Sequence, residues 1–194
     1  MVDKSVEILD HASSDTMNVI VFDAEANGFL EEADKVWCIG TKIRGNGKER
    51  LFTPDQIQMA LGYLHSADVI VGHNIKGYDF KLFKKLFDWE PLTHQVVIDT
   101  VVFSRMLQPK RFLPDNYTGN KPHSIEAWGC RLGHAKPEHE DWTKFSEDMG
   151  HRCMEDVRIT LQVLEELERE AGNLSNYYEQ LRSDKNPMVG AESI

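Results

Sequence analysis

Short apolar runs rich in β-branched residues constrain the fold of this chain more than any other feature. They occupy residues 19–22, 68–72 and 96–98, and runs this short predict buried strands rather than helices. Helical patterns follow the second and third runs, at 78–87 and 100–107. This alternation of strand and helix predicts parallel strands joined by right-handed crossovers.

The segment between the first two runs predicts antiparallel pairing. Residues 36–43 are rich in strand formers, and residues 50–53 form a returning strand after a Gly-Asn-Gly turn within 44–48. A helix is expected after Pro54, where apolar residues recur at helical spacing. Antiparallel strands are therefore expected ahead of the parallel ones.

The second half of the chain is predicted to be mainly helical. Residues 108–122 form the longest irregular stretch and are rich in proline. Helices are predicted at 124–132, weakly at 139–149 and strongly at 153–171, where Gly172 is a natural C-terminal cap. The prediction is one α/β domain over residues 18–183, between an N-terminal extension at 1–17 and a C-terminal tail at 184–194.

Charge and cysteine content exclude several classes of protein. With 22 Lys and Arg against 32 Asp and Glu, the net charge is −10, which disfavours a protein that coats duplex DNA with clustered cations. The sequence shows no secretory signal and no apolar run long enough to span a membrane. Cys38, Cys130 and Cys153 lack the spacing of a zinc or redox motif, so free thiols and a cytoplasmic location are expected.

Four carboxylates are the candidate catalytic groups. Asp23 and Glu25 follow the first strand and, being two residues apart, project to the same face. Asp79 opens a helix, where the helix dipole alone would also favour it. Asp156 borders the apolar stripe of the last helix, and either a metal ion or an arginine would compensate its charge.

Together these acids resemble the DEDD superfamily of 3′–5′ exonucleases. The resemblance covers residues 18–171 and is closest to the proofreading domain of phage family-A DNA polymerases. It implies a ribonuclease-H-like fold, with a mixed five-stranded sheet of three antiparallel and two parallel strands flanked by helices. The segments that carry it are Asp23-Ala24-Glu25-Ala26-Asn27, the stretch from His73-Asn74 to Asp79, residues 98–105 and residues 123–133.

The resemblance also implies a chemistry for the site. Asp23, Glu25, Asp79 and Asp156 would hold two Mg²⁺ or Mn²⁺ ions, which prefer carboxylate oxygens and would reconcile an acidic chain with a polyanionic substrate. The implied reaction releases nucleoside 5′-monophosphates from the 3′ ends of single-stranded DNA. Asp99 is expected to support the metal ligands from behind. The candidate substrate contacts are Asn27, Gly28, Phe29, Asn74, Tyr78 and Arg152.

One position departs from the closest relatives in the family. They place a tyrosine four residues before the last aspartate, to orient the attacking water, and this chain has Arg152 there. A related branch uses a histidine five residues before that aspartate, which matches His151. We favour His151 as the water-orienting base, on the condition that it lies in the loop before the helix. In one alternative, Arg152 replaces the tyrosine, binds phosphate and leaves a slower enzyme. A third possibility is a deliberately or naturally weakened nuclease.

Other functions stay open at this point. A ribonuclease of the same superfamily is the alternative enzyme, because no residue plainly accepts or rejects the 2′-hydroxyl. A silent nucleic-acid-binding module is a further alternative.

A DNA polymerase or another replication or repair protein is a candidate partner. The basic and aromatic residues of 108–122 are candidates for tracking a single strand: Lys110, Arg111, Phe112, Tyr117 and Lys121.

Overall fold

A computed structural model describes residues 17–134, 136, 139 and 141–185 of the chain. In chain order the elements are β1 (Val19–Ala26), β2 (Val36–Ile43), β3 (Glu49–Phe52), a 3₁₀ turn (Pro54–Gln56), α1 (Ile57–Leu64), β4 (Val69–Gly72), α2 (Asp79–Phe87), β5 (Val96–Asp99), α3 (Thr100–Leu107), α4 (Ile125–Leu132) and α5 (Glu147–Lys185).

The strands form one mixed sheet in the order β3-β2-β1-β4-β5. Strand β1 pairs antiparallel with β2, and β2 pairs antiparallel with β3. On its other side β1 pairs parallel with β4, and β4 pairs parallel with β5. The predicted sheet of three antiparallel and two parallel strands is confirmed, and β1 is its central strand.

Both faces of the sheet are buried. Alternate residues of a strand point to opposite faces, so Ile20 and Phe22 of β1 pack in one cluster with residues of α1 and α2. Val21, between them, packs in a second cluster with Val157 and Leu164 of α5. A strand covered on both faces needs a continuous apolar run, and this is why residues 19–22 carry no polar side chain.

The predicted end of the first strand is wrong. Strand β1 continues past Phe22 to Ala26, since buried Ala24 and Ala26 alternate with Asp23 and Glu25. The acids therefore lie within the strand rather than after it.

The last helix is longer at both ends than predicted. It begins at Glu147, where the Ser146 hydroxyl accepts a hydrogen bond from the amide of Met149, and residues 141–146 are not helical. It continues through Gly172 to Lys185. A single exposed glycine costs a helix only about 1 kcal/mol, which the surrounding strong helix formers outweigh.

The remaining sequence predictions concern the termini and cysteines. Cys38 and Cys153 are buried free thiols and Cys130 is a partly buried one. The predicted N-terminal extension lies outside the described residues except for Met17, as does the predicted tail beyond Lys185. Within the described residues, no helix has the length and apolar character needed to cross a membrane.

Candidate active site

Strand β1 and helix α5 bring three of the four predicted acids together. Asp23 and Glu25 project from β1, and Asp156 projects from α5. One oxygen atom from each of these carboxylates lies within 4.8 Å of those of the other two. The arrangement matches what Mg²⁺ or Mn²⁺ needs, which is several carboxylate oxygens converging on one point.

A glycine on β2 allows this close approach. Gly40 pairs with Asp23 across the β1–β2 ladder, and a Cβ atom there would lie 2.9 Å from Met154 Sδ and 3.1 Å from Cys153 Sγ. The thiol of Cys153 also donates to the carbonyl of Asp23 at 3.4 Å. Helix α5 therefore lies close against the sheet one turn before Asp156, and this places the Asp156 carboxylate beside β1.

Asp79 is the fourth acid, and it is buried at the first residue of α2. The preceding loop is held by Asp99, whose carboxylate accepts hydrogen bonds from the amides of Asn74, Lys76 and Val101 at 3.0 Å each. Asn74 has a positive φ of 63°, a strained conformation that asparagine tolerates better than most residues. Asp99 thus shapes the loop that delivers Asp79.

Burial and mutual repulsion raise the pKa values of these four carboxyl groups, so a nearby cation is needed to stabilise their ionised forms. Burial first, then the charges of Asp156, Glu25 and Asp79, raise the pKa of Asp23 well above its usual value. Burial likewise raises the pKa of Glu25 to about 7 and that of Asp79 to about 8. The pKa of Asp156 is also raised, chiefly by burial.

Two cations of the chain partly offset this charge. Lys136 Nζ lies 2.6 Å from Asp156 Oδ2, and Arg152 Nε lies 3.3 Å from Glu25 Oε1. One buried oxygen of Asp79 and one of Asp156, both Oδ1, still have no hydrogen-bond partner among the described residues. Buried carboxylate oxygens left without partners are costly, so the residues present fit a divalent cation.

The structure contradicts the position predicted for His151. Because α5 begins at Glu147, His151 lies within the helix and not in the loop before it. Its side chain is 61% exposed, and its Nδ1 lies 3.8 Å from Glu155 rather than near the four acids. Five residues along a helix rotate a side chain by about 500°, which directs His151 away from the face that carries Asp156.

Arg152 lies on the face of α5 that carries Asp156, unlike His151. Four residues rotate a side chain by about 400°, so Arg152 and Asp156 lie on one face of α5. The Arg152 guanidinium also lies 5.3 Å from the centre of the Trp142 ring, while the Trp142 carbonyl accepts a hydrogen bond from the indole of Trp37 at 2.9 Å. These contacts hold the arginine beside Glu25.

The acids line a cavity of about 770 Å³, which we call the acidic cavity. It also contains all the predicted substrate contacts: Asn27, Gly28, Phe29, Asn74, Tyr78 and Arg152. Phe29 is 79% exposed at its edge, and the Tyr78 hydroxyl donates to the Gly28 carbonyl at 2.5 Å. The Asn27 side chain donates a hydrogen bond to the Asp34 carboxylate and accepts hydrogen bonds from the amides of Asp34 and Lys35. It therefore stabilises the loop between β1 and β2.

Lys136 and Trp142 are among the residues of this cavity that sequence reasoning missed. Both belong to the irregular segment between α4 and α5. Their contacts are with residues distant in the chain, and no periodicity or motif in the sequence marks them.

Comparisons with known proteins bear on the fold and the ancestry. No protein-family model matches the sequence. The chain is 28% identical to the DNA-directed DNA polymerase of Enterobacteria phage T3, in an alignment that covers 77% of this chain and 26% of that protein. The DNA-directed DNA polymerase of Escherichia phage T7 has the same identity and coverage. The chain thus spans about a quarter of the length of these relatives.

Two solved structures share the fold over most of this chain. NrnC of Brucella melitensis superposes with a TM-score of 0.57 at 15% identity, covering 96% of this chain and 93% of NrnC. E. coli exonuclease I, in complex with a dT13 oligonucleotide, superposes with a TM-score of 0.58 at 14% identity, covering 83% of this chain and 43% of the exonuclease. These likenesses confirm the fold that was predicted from the sequence.

Proposed function

We propose that this chain, a DEDD-type 3′–5′ exonuclease by sequence and fold, releases nucleoside 5′-monophosphates from the 3′ ends of single-stranded DNA with the help of divalent metal ions. The observation that carries the proposal is the convergence of Asp23, Glu25 and Asp156 within 4.8 Å in one cavity, with Asp79 buried in the same cavity. So many acids in one place are stable as anions only beside cations.

Mg²⁺ or Mn²⁺ would be held by Asp23, Glu25, Asp79 and Asp156. When bound, such ions lower the pKa of water and stabilise negative charge on phosphoryl oxygens. An Mg²⁺-bound structure exists for NrnC, which supports metal dependence in this fold.

The cations of the chain would act on the substrate and on the acids. The Arg152 guanidinium stands at the edge of the acid cluster, where it would hold an oxygen of the scissile phosphate. Lys136 keeps Asp156 ionised, because a lysine at 2.6 Å favours the charged carboxylate. Phe29 offers an exposed ring on which the terminal base would stack.

Single-stranded DNA is the substrate that the comparisons favour. E. coli exonuclease I has been solved with a dT13 oligonucleotide, and the phage relatives are DNA-directed DNA polymerases. NrnC has been solved with pGG, which supports very short strands as an alternative. We infer that residues 18–183 form the nuclease domain and that a polymerase is its natural partner.

Release of mononucleotides from matched DNA and RNA oligonucleotides tests the proposal. We expect degradation of the DNA strand from its 3′ end with Mg²⁺ or Mn²⁺, and loss of degradation with EDTA or in Asp23→Asn. Glu31→Gln, a change at an exposed carboxylate outside the acidic cavity, is the matched control and should degrade DNA normally. Degradation that persists in Asp23→Asn would refute the proposed site, and faster degradation of RNA than of DNA would refute the proposed substrate.

A further inference from the structure

A second cavity adjoins the acidic cavity. It has a volume of about 560 Å³ and is shaped by α3, by residues 120–124 and by the start of α4. The two cavities share three lining residues, His73, Asn74 and Ile125. The two cavities are therefore adjacent, and we call them together the cleft, with the acids at one end and the second cavity at the other.

The second cavity has the opposite charge. Arg105 of α3 and Lys121 both line it, and both are exposed. Neither makes an ion pair within the part of the chain that the structure describes. Glu126 is the one carboxylate among its lining residues, and it lies 3.4 Å from Lys136. Hereafter this is the basic cavity.

The pKa of a buried histidine in this cavity is lowered in part by positive charges nearby. His123 lines the basic cavity with 8% of its surface exposed, and its Nδ1 lies 2.8 Å from Ser104 Oγ. Burial is the main cause that lowers the pKa of His123, and the positive charges of Arg105, Arg111 and Arg131 lower it further. Two unpaired cations beside a neutral histidine suit an anion rather than a metal.

The wall of the basic cavity is held in place by contacts to α4 and α5. The Arg111 guanidinium forms a two-pronged salt bridge with Glu170, at 2.9 and 2.6 Å, and lies 4.5 Å from the centre of the Trp128 ring. The Tyr117 hydroxyl lies 3.1 Å from Ser124 Oγ. Of the basic residues of 108–122, Arg111 therefore anchors the segment, while Lys121 is left for a ligand.

We propose that the basic cavity binds the phosphodiester backbone on the 5′ side of the scissile bond, with Arg105 and Lys121 each contacting a phosphate. The inference rests on the proposed exonuclease function and deepens it. With the 3′-terminal nucleotide among the acids, the strand has to leave that end of the cleft. The adjoining basic cavity offers a path lined by cations and by the apolar side chains of Val101, Pro122 and Ile125.

Two substrates distinguish this binding role from the chemistry of the acids. Single-stranded (dT)₅ extends into the basic cavity, whereas thymidine 5′-(p-nitrophenyl phosphate) has a scissile ester and no nucleotide upstream. In the double variant Arg105→Gln/Lys121→Gln, we expect kcat/KM on (dT)₅ to fall roughly tenfold or more, mainly through a higher KM. The reason is that each substitution removes a charged hydrogen bond to a phosphate. Hydrolysis of the p-nitrophenyl ester should stay within about twofold of the unmodified protein.

The salt dependence gives an independent measurement. Each contact to a phosphate of a single strand contributes about 0.7 to the slope of log affinity against log salt concentration, so the double variant should lose about 1.4. The charge-retaining pair Arg105→Lys/Lys121→Arg should restore most of the affinity. Lys48→Gln, at an exposed lysine between β2 and β3 that lines neither cavity, is the matched control and should behave like the unmodified protein.

Three results would overturn the inference: unchanged kcat/KM on (dT)₅ in the double variant, an equal loss on the p-nitrophenyl ester, or the same loss in Lys48→Gln. Failure of the proposed function would look different, because the unmodified protein would then cleave neither substrate with Mg²⁺ or Mn²⁺.

Discussion

The guanidinium of Arg152 lies against the carboxylate of Glu25, with Nε and Oε1 3.3 Å apart. Arg152 occupies the position, four residues before Asp156, at which the resemblance to DEDD exonucleases predicts a water-orienting tyrosine. Its positive charge partly offsets the charge of this acid, and a guanidinium is well suited to binding a phosphate.

Replacing Arg152 should therefore impair catalysis, whereas replacing its neighbour should not. We expect Arg152→Ala to lower kcat/KM for a single-stranded oligonucleotide by roughly 10- to 100-fold, since a hydrogen bond to a charged group is worth about 1.5–3 kcal/mol. His151→Ala should retain full activity, because His151 is on the exposed side of α5. The measurement is steady-state release of mononucleotides, and a larger loss in His151→Ala would restore the histidine as the water-orienting base.

Lys136 should set the acidic limb of the pH–activity profile. Lys136 lowers the pKa of Asp156, a carboxyl whose pKa burial raises. In Lys136→Met, which keeps most of the side-chain volume, Asp156 would ionise at higher pH. We expect the acidic limb of kcat/KM to move to higher pH.

The control for Lys136 is Lys48→Met, at an exposed position between β2 and β3 outside both cavities. Its profile should overlay that of the unmodified protein. An unshifted limb in Lys136→Met would show that the ion pair with Asp156 does not govern ionisation of the site.

Stability of the metal-free protein should fall as the pH rises from about 5 to about 9. In the folded state the pKa of Glu25 is raised to about 7 and that of Asp79 to about 8, mainly by burial. These carboxyls release protons more easily when unfolded, so their stabilising contribution is complete below pH 4 and is lost as the pH rises through their folded values. Glu49, whose pKa hydrogen bonding to Arg158 lowers to about 2, titrates below this window.

Thermal unfolding in EDTA across this pH range measures the effect. Asp79→Asn should flatten the decline, and Mn²⁺ should raise the Tm most at the alkaline end, where the acids are ionised. A Tm that rises with pH in EDTA, or an Asp79→Asn variant with an unchanged slope, would contradict the ionisation states inferred for the cluster.

Gly40→Ala should disturb the acid cluster by changing how α5 packs against β2. The new Cβ would lie 2.9 Å from Met154 Sδ and 3.1 Å from Val157 Cγ2, so α5 has to shift away from β2 and carry Asp156 with it. We expect a loss of about 1–3 kcal/mol in the free energy of unfolding, together with weaker Mn²⁺ binding by calorimetry.

The matched control for Gly40 is Gly62→Ala, in the interior of α1. No atom lies within 4 Å of the Cβ it would add, and removing a helical glycine should raise stability by up to about 1 kcal/mol. Equal destabilisation by both variants would mean that close packing at Gly40 does not position α5.

Much of the fold could be read from patterns that act over a few residues. The apolar run at 19–22 predicts a strand buried on both faces, and the alternation that follows it predicts parallel pairing; both are observed. The acids Asp23 and Glu25 share a face because strands repeat every two residues. Local physical chemistry suffices for these features, since neighbouring residues determine them.

The choice between His151 and Arg152 could not be read in this way. It depends on where α5 begins, and a cap at Ser146, four residues before Gly150, sets that start at Glu147. Once the helix includes both residues, its rotation directs one to solvent and the other to the acids. A short error in a helix boundary thus exchanges one candidate catalytic residue for another.

The sequence by itself determined where the strands lie, which of them pair antiparallel and which parallel, and which acids are the candidate catalytic groups. It could do so because hydrophobic periodicity and residue type are local properties of a chain. Only the tertiary structure decided that Lys136 meets Asp156, that Arg152 meets Glu25, and that a basic cavity continues from the acidic one. These are contacts between segments far apart in the sequence. They exist because packing of α5 against the sheet brings those segments to one place.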